Sequence, residues 1–385
     1  MKIVYVYPKF TALAGTERVL IDKMNYLAEH EDVEVVALTY EQGNRPFVYS
    51  LSPKVLHVDL DVSFDSLKKY NQIIRLFKVK QSNILLRRKF NQLMNSLSPD
   101  IVISTTFHAN IASIIANCPT SFAKILESHI DKRYIHCNDP ENRQHLFNYL
   151  WSVYNMLKLS HNARKYDVLV SLHQSDANDW AGYLKTRVIT NIVHLNTSGR
   201  YSSLESKRVI FAGRFAKQKG IPDLFEIWRM VAARHADWCL ELYGNGNVSE
   251  LPYTDEERKK LNIHAYPANP NIFDKYLDSS LFVLTSIYEP FGLVMLEAMS
   301  CGLPVIAFDC PHGPAQIITD GVDGFLIKDR NHSFFAEKLC ALIESDELRK
   351  KMGHAAVLSS QRYAAPQIMA EWMNLFKELM NKKTI

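Results

Sequence analysis

No stretch of the 385-residue chain reaches the roughly 18 consecutive apolar residues that a membrane-spanning helix needs, so no helical span is expected. Excess charge is small as well. Forty-five basic against 41 acidic residues leave a formal net charge of +4, too little to argue for nucleic acid as the main partner. Cysteine is sparse and scattered: Cys118, Cys137, Cys239, Cys301, Cys310 and Cys340 form no CxxC pair. That spacing argues against a zinc site or a disulfide framework and predicts buried, inert thiols in a reducing cytoplasm. The P-loop pattern GxxxxGK[ST] is missing, as are GxSxG and HExxH, which removes common nucleotidase and hydrolase readings. GxGxxG also fails, because after Gly244 and Gly246 the third glycine position holds Ser249. A nicotinamide enzyme is therefore disfavoured. No repeat of solenoid length is present either.

What is present is ample core. Apolar residues make up 47% and charged residues 22%, which excludes a disordered chain, and the length suits roughly two to three domains. The opening Met1–Pro8 is too short an apolar stretch for a signal peptide and reads as a buried strand. Short β-branched runs follow at Val33–Thr39, Ile101–Ser104, Ala123–Leu126 and Val168–Ser171. Helical periodicity lies between them, as in Thr16–His30, where Leu20, Met24 and Leu27 fall on one face. After the polar stretch Asn196–Lys207 the alternation restarts, with strands at Arg208–Phe211, Trp238–Tyr243, Leu281–Thr285 and Val305–Phe308 and helices at Pro222–His235 and Phe291–Ser300. The expected fold is α/β: two Rossmann-like, doubly wound domains facing each other across a cleft. The expected domains are residues 1–196 and 197–364. A terminal amphipathic helix in 365–385 is free to pack back on the first.

Two segments carry chemistry. In Ser286–Met299 a strand runs into a helix whose first-turn amides, around Phe291, Gly292, Leu293 and Val294, are open to an anion. Glu289 lies just before that helix and Glu297 two turns in. Taken alone they read either as a cap and a solvated glutamate or as acceptors for sugar hydroxyls. In Phe211–Gly220, after another strand, Gly213 permits close backbone approach, while Arg214 offers a planar fork and Lys219 a mobile charge for phosphate oxygens. Taken alone, that loop is equally a solvated basic turn.

Together these segments resemble the family-4 (GT4) retaining glycosyltransferases of group 1, with the two-Rossmann-domain GT-B fold. The resemblance rests on Gly213-Arg214 with Lys219-Gly220, on the Glu289…Glu297 pair, and on Ala298–Ile306, Asp309–Pro314, Asp320–Leu326 and Gly244-Asn245-Gly246. One departure is Pro290, where the family commonly has glycine. The resemblance implies that Arg214 and Lys219 neutralise a donor diphosphate and that Glu297 binds the ribose. It implies that Glu289 holds the transferred sugar, aided by the backbone of Phe291, Gly292, Leu293 and Val294. In the first half it implies a glycine turn at Gly15-Thr16-Glu17 facing the diphosphate, and a catalytic-site histidine at His129, with His108 a weaker rival. Main-chain groups at Asn271 and Ile272 are the candidate base contact. The expected reaction moves a hexosyl or N-acetylhexosaminyl unit from a nucleotide sugar, UDP-linked by preference, to a lipid-linked or oligosaccharide acceptor in cell-envelope glycan synthesis. Configuration is retained and no metal or other cofactor is required. A nucleotide-sugar epimerase, a phosphorylase-like enzyme and a noncatalytic sugar-binding scaffold are the alternatives. The lone D-x-D, Asp59-Leu60-Asp61, lies outside the motif-bearing half and is not expected to hold a metal.

Between Ser66 and Pro99 there are eight basic residues and no acidic ones: Lys68, Lys69, Arg75, Lys78, Lys80, Arg87, Arg88 and Lys89. Leu86, Phe90 and Leu93 recur at helical spacing among them. The segment reads either as a helix lying on an anionic membrane surface, with the enzyme peripheral at the inner face of the cytoplasmic membrane, or as a solvated helix packed on its own core.

Overall fold

Ile3, Val4, Ile101, Ile103, Ile125 and Val168 are at most 1% exposed, as residues must be in parallel strands covered on both faces. In the computed structural model, which describes residues 1–134, 146–247 and 251–383, these residues belong to one parallel sheet. Cys137, Ser249 and the Lys68 side chain lie outside the described residues. The strands are β1 (Lys2–Val6), β2 (Glu34–Thr39), β3 (Leu56–Asp59), β4 (Ile101–Thr105), β5 (Ala123–Ser128), β6 (Val168–Ser171) and β7 (Thr186–Val188). Their order is β3-β2-β1-β4-β5-β6-β7. A second parallel sheet holds β8 (Arg208–Ala212), β9 (Cys239–Tyr243), β10 (Ile263–Tyr266), β11 (Leu281–Leu284), β12 (Val305–Phe308) and β13 (Gly324–Ile327), in the order β10-β9-β8-β11-β12-β13. In each sheet the chain winds outward in one direction and then in the other. The direction reverses between β1 and β4 in the first sheet and between β8 and β11 in the second.

The chain divides into two units, Met1–Ile192 with Ala365–Ile385, and Val193–Ala364. The division falls four residues before the expected boundary, because Val193 already donates its amide to Tyr363. Helix α1 (Gly15–Leu27) lays Leu20, Met24 and Leu27 on one face of the first sheet. Helix α2 (Gln72–Leu97) sets Leu86, Phe90 and Met94 against the other. In the second unit, helix α3 (Leu293–Ser300) follows β11. The terminal helix, α4 (Ala365–Lys383), belongs to the first unit despite following the second in sequence. Its Ile368, Met369, Trp372, Leu375, Phe376 and Leu379 complete the core on the α1 face, and Glu378 receives a forked pair of hydrogen bonds from Arg187 at 2.9 and 2.7 Å.

Candidate active site

The winding of the second sheet decides where its chemistry gathers. Because β8 and β11 are neighbours and parallel, both deliver their following loops to the same carboxyl edge, at the point where the strand order reverses. Open α/β sheets bind ligands in that position. The β8 loop begins at Gly213 and is pinned from the side by the Gly244-Asn245-Gly246 turn: Gly213 donates to Tyr243 at 2.9 Å and Phe215 to Asn245 at 2.8 Å. Arg214 is exposed, and Lys219 reaches across to the β11 loop. Its Nζ lies 2.5 Å from Glu289 Oε2, with both side chains close to one-tenth exposed. Ser286 donates its hydroxyl to the same carboxylate oxygen at 3.0 Å. The two loops are further stitched by Thr285 Oγ1 to Lys219 O at 3.1 Å, Ile287 N to Gln218 O at 2.8 Å and Gln218 Nε2 to Tyr288 O at 2.9 Å. The structure thus brings Lys219 and Glu289, 70 residues apart in sequence, into direct contact.

Glu289 is also fixed through its main chain. It forms a bridge to His312, and Gly313 donates to its carbonyl at 2.8 Å. His312 takes a left-handed φ of 84°, unusual for a residue with a side chain. Helix α3 starts two residues later than expected. Gly292 is its N-cap with φ 97° rather than a helical residue, and the Met295 amide is already taken by the Gly292 carbonyl at 3.0 Å. The first-turn donors left to an anion are those of Leu293 and Val294. Two turns in, Glu297 is half-buried and accepts from Tyr276 Oη at 3.4 Å. Asn271 caps the short helix Ile272–Leu277 in the same unit, its amide bonded to Asn269 Oδ1 at 2.8 Å.

Other members of this frame carried little sequence signal. Arg330 donates to the carbonyls of Ser286 and Thr285 at 2.9 and 3.0 Å, pairs with Asp223 and lies over the Phe308 ring at 4.4 Å. It clamps the end of β11 from a distance of 44 residues, with nothing in its neighbourhood to announce it. Cys310 is the nearest thiol. Burial, reinforced by Glu289, pushes it up to about 12, so it stays a neutral thiol and is no nucleophile. Cys301 is pushed up to about 12 by burial as well. Cys239 departs from the expectation of burial, being only half-buried.

In the first unit, Gly15 is the first residue of α1 rather than a turn before it, and Ala14 is the cap. Glu17 in that first turn accepts from Tyr7 Oη at 3.3 Å. His108 caps the helix Ala109–Ala116 and sets its ring edge-on to Tyr7, 5.2 Å between centroids. His129, just past β5, is buried, and its Nε2 lies 2.8 Å from Glu127 Oε2. The same oxygen receives Lys23 Nζ of α1 at 2.5 Å. Burial alone would raise the Glu127 carboxyl, but Lys23 and His129 outweigh it and hold it below the ordinary carboxylate range. Burial draws the Lys23 ammonium below its usual value, with Glu127 partly offsetting it. The D-x-D is turn chemistry. Asp59 accepts from Thr39 Oγ1 at 2.8 Å and from the Gln42 and Gly43 amides at 3.3 and 2.8 Å, and Asp61 takes a left-handed φ of 49°.

Of the two readings of the basic helix, packing on its own core is the one the structure bears out for the Leu86, Phe90 and Leu93 face. Leu86 and Phe90 are fully buried in the unit's own core, with Leu93 packed against them. A separate outward stripe is exposed instead: Ile74, Phe77, Ile84 and Leu85 are 43–62% exposed. At 100° per residue these four fall within one-third of the helix circumference, with Arg88 among them and Lys78 beside them. No described helix is long and apolar enough to cross a membrane.

Comparison with known proteins finds similarity over the part of the chain that holds these loops. Residues 200–358 match the model described as glycosyl transferases group 1, which takes in the β8 loop, Glu289, α3 and Glu297. An uncharacterized glycosyltransferase of Haemophilus influenzae is 26% identical over 97% of this chain and 99% of its own length. The amylovoran biosynthesis glycosyltransferase AmsD of Erwinia amylovora is 32% identical over 47% of this chain and 52% of its own. Among solved structures, Anabaena HepE in complex with UDP and glucose superposes with a TM-score of 0.71 at 18% identity, over 98% of this chain and 99% of that one.

Proposed function

We propose that the chain, which has the two-Rossmann-domain GT-B fold, is a group 1 glycosyltransferase and that it moves a hexosyl or N-acetylhexosaminyl unit from a UDP-sugar to a lipid-linked or polysaccharide acceptor of the cell envelope, with retention of configuration. The observation that carries this reading is the meeting of Lys219 and Glu289 where β8 and β11 diverge. Breaking the anomeric C–O bond leaves positive charge on the sugar and negative charge on the departing diphosphate. Arg214, Lys219 and the Leu293 and Val294 amides supply fixed positive charge and dipole for that diphosphate. Arg214 and Lys219 also do the work a divalent ion would do, so transfer proceeds in the presence of a chelator. Glu289 is held by Lys219 and Ser286 as a hydrogen-bond acceptor and positions the sugar, rather than attacking it as a nucleophile would. Glu297 takes the ribose hydroxyls, and the main chain at Asn271 and Ile272 contacts the base. The envelope setting is supported by the amylovoran relative, and the donor by the UDP and glucose bound to HepE.

Incubation with UDP-hexoses and no acceptor, in EDTA, tests the reaction class. Slow release of UDP with free sugar is expected. Interconversion of the sugar on intact UDP would make the chain an epimerase instead.

The acceptor side is proposed to be approached at an anionic membrane surface, with the outward stripe of α2 entering the headgroup region and Lys69, Lys78, Lys80, Arg87 and Arg88 facing anionic lipid, each cation adding about 1 kcal/mol near the surface. Flotation with phosphatidylglycerol vesicles at low salt is expected to carry the protein, and Phe77→Asp with Ile84→Asp is expected to abolish that binding without altering UDP affinity. Failure of the wild-type protein to float would remove the membrane role.

A further inference from the structure

Arg330 and its neighbour Asp329 both take left-handed backbone conformations, with φ 48° and 55°. Residues with side chains are uncommon there, and where such strain persists it is held by the surrounding structure and clusters at functional sites. The Arg330 side chain shows what the conformation serves. Its guanidinium forks onto two successive carbonyls just past β11, Nη1 donating to Ser286 at 2.9 Å and Nη2 to Thr285 at 3.0 Å. Both residues are at most 1% exposed, so their carbonyls need donors from within the protein. The fork is itself anchored. Nη2 pairs with Asp223 in the first turn of the helix Ile221–Ala232, His332 Nε2 lies 3.2 Å from the other Asp223 oxygen, and the centroid of the Phe308 ring of β12 lies 4.4 Å from the guanidinium carbon. The two residues so held are the ones that hold Glu289. Ser286 donates its hydroxyl to Glu289 Oε2 at 3.0 Å, and Thr285 donates its own to the carbonyl of Lys219, whose Nζ lies 2.5 Å from that same Glu289 oxygen. All of these residues belong to the second unit.

We propose that Arg330 is a positioning residue for the Lys219–Glu289 pair: fixed by Asp223, its fork sets the main chain of Thr285 and Ser286, and their hydroxyls in turn set Lys219 and Glu289. A planar guanidinium suits this task, because two donors on two carbonyls fix an orientation that a single point of contact leaves free. The inference rests on the reading that Glu289 serves the transferred sugar. It adds the residue that prepares the carboxylate.

Arg330→Met and Arg330→Lys, each alone and combined with Glu289→Ala, separate positioning from support of the fold. Methionine leaves two buried carbonyls without these donors and is expected to lower the melting temperature. Lysine keeps a cation opposite Asp223 and is expected to bring the melting temperature back within a few degrees of the wild type. UDP release from a UDP-hexose is nevertheless expected to be at least about tenfold slower in Arg330→Lys, with KM changed less than about threefold, because orientation and not binding has been lost. In the Glu289→Ala background the same lysine is expected to slow release by less than about twofold further, since its effect passes through the missing carboxylate. Losses that multiply in full would overturn the proposal, as would wild-type turnover in Arg330→Lys. A crystal structure of Arg330→Lys provides a readout independent of activity. Glu289 is expected to have lost its contact with Ser286 or with Lys219, and retention of both contacts would overturn the proposal too. Should the wild type consume no nucleotide sugar, the transfer reading fails, and that crystal structure still decides whether Arg330 sets the pair.

Discussion

Replacing Glu289 with alanine is expected to lower turnover by about 100-fold or more while leaving UDP affinity within about threefold of the wild type. The carboxylate lies where two loops meet, already gripped by Lys219 and Ser286, and its proposed partner is the sugar, which carries charge only as the bond breaks. Removing it therefore costs the transition state more than the ground state. Glu297→Ala is expected to do the reverse. Its proposed contacts are ribose hydroxyls, present equally before and during reaction, and hydrogen bonds to a charged group contribute about 1.5–3 kcal/mol. UDP affinity is then expected to fall by roughly 10–100-fold, with turnover at saturating donor nearly preserved. Calorimetric titration with UDP beside donor-hydrolysis kinetics measures both quantities. Equal loss of UDP affinity in the two variants would contradict the division of roles.

The second large effect is expected at Gly220. This residue has φ 61°, and a Cβ built on it would lie 2.0 Å from the Thr285 carbonyl oxygen and 3.0 Å from Arg330. Alanine there meets a left-handed conformation, at roughly 1–2 kcal/mol, and also a backbone atom that cannot rotate away. The β8 and β11 loops must part, which draws Lys219 away from Glu289. Gly220→Ala is expected to destabilise the unit by about 3 kcal/mol or more and to weaken UDP binding. Gly321→Ala is the control: φ is 75° there too, but nothing lies within 4 Å of the added carbon, so only the conformational cost of about 1 kcal/mol is expected. Denaturant unfolding of the two variants distinguishes them, and similar midpoints would show that the close approach at Gly220 is not the source of strain.

The contrast between what could and could not be read from the chain follows physical lines. Buried parallel strands need β-branched runs, so β1, β5, β6 and β12 are legible as such, and the restart of the pattern after Asn196 separates two sheets. The order of each sheet, and with it the contact of Lys219 with Glu289, depends on crossovers that no local pattern encodes. Arg330, His312, Lys23 and Glu127 act through partners far away in sequence, and each stands in an ordinary local context. Helix α3 starts two residues beyond the point that periodicity suggests, because the left-handed cap at Gly292 leaves no periodic signal. On α2 the repeat of Leu86, Phe90 and Leu93 marks a face that packs on the core, whereas the outward stripe at Ile74, Phe77, Ile84 and Leu85 lacks any regular repeat.

At the centre of the account is a pyrophosphate held by the β8 loop. Titration of UDP into the wild-type protein and into the Arg214→Ala, Lys219→Ala double variant, both in EDTA, tests it most directly. The account predicts saturable binding to the wild type without metal and at least about tenfold weaker binding to the variant, since each lost charge-assisted contact to phosphate contributes more than 1 kcal/mol. Undiminished UDP affinity in a folded variant lacking both cations would contradict it.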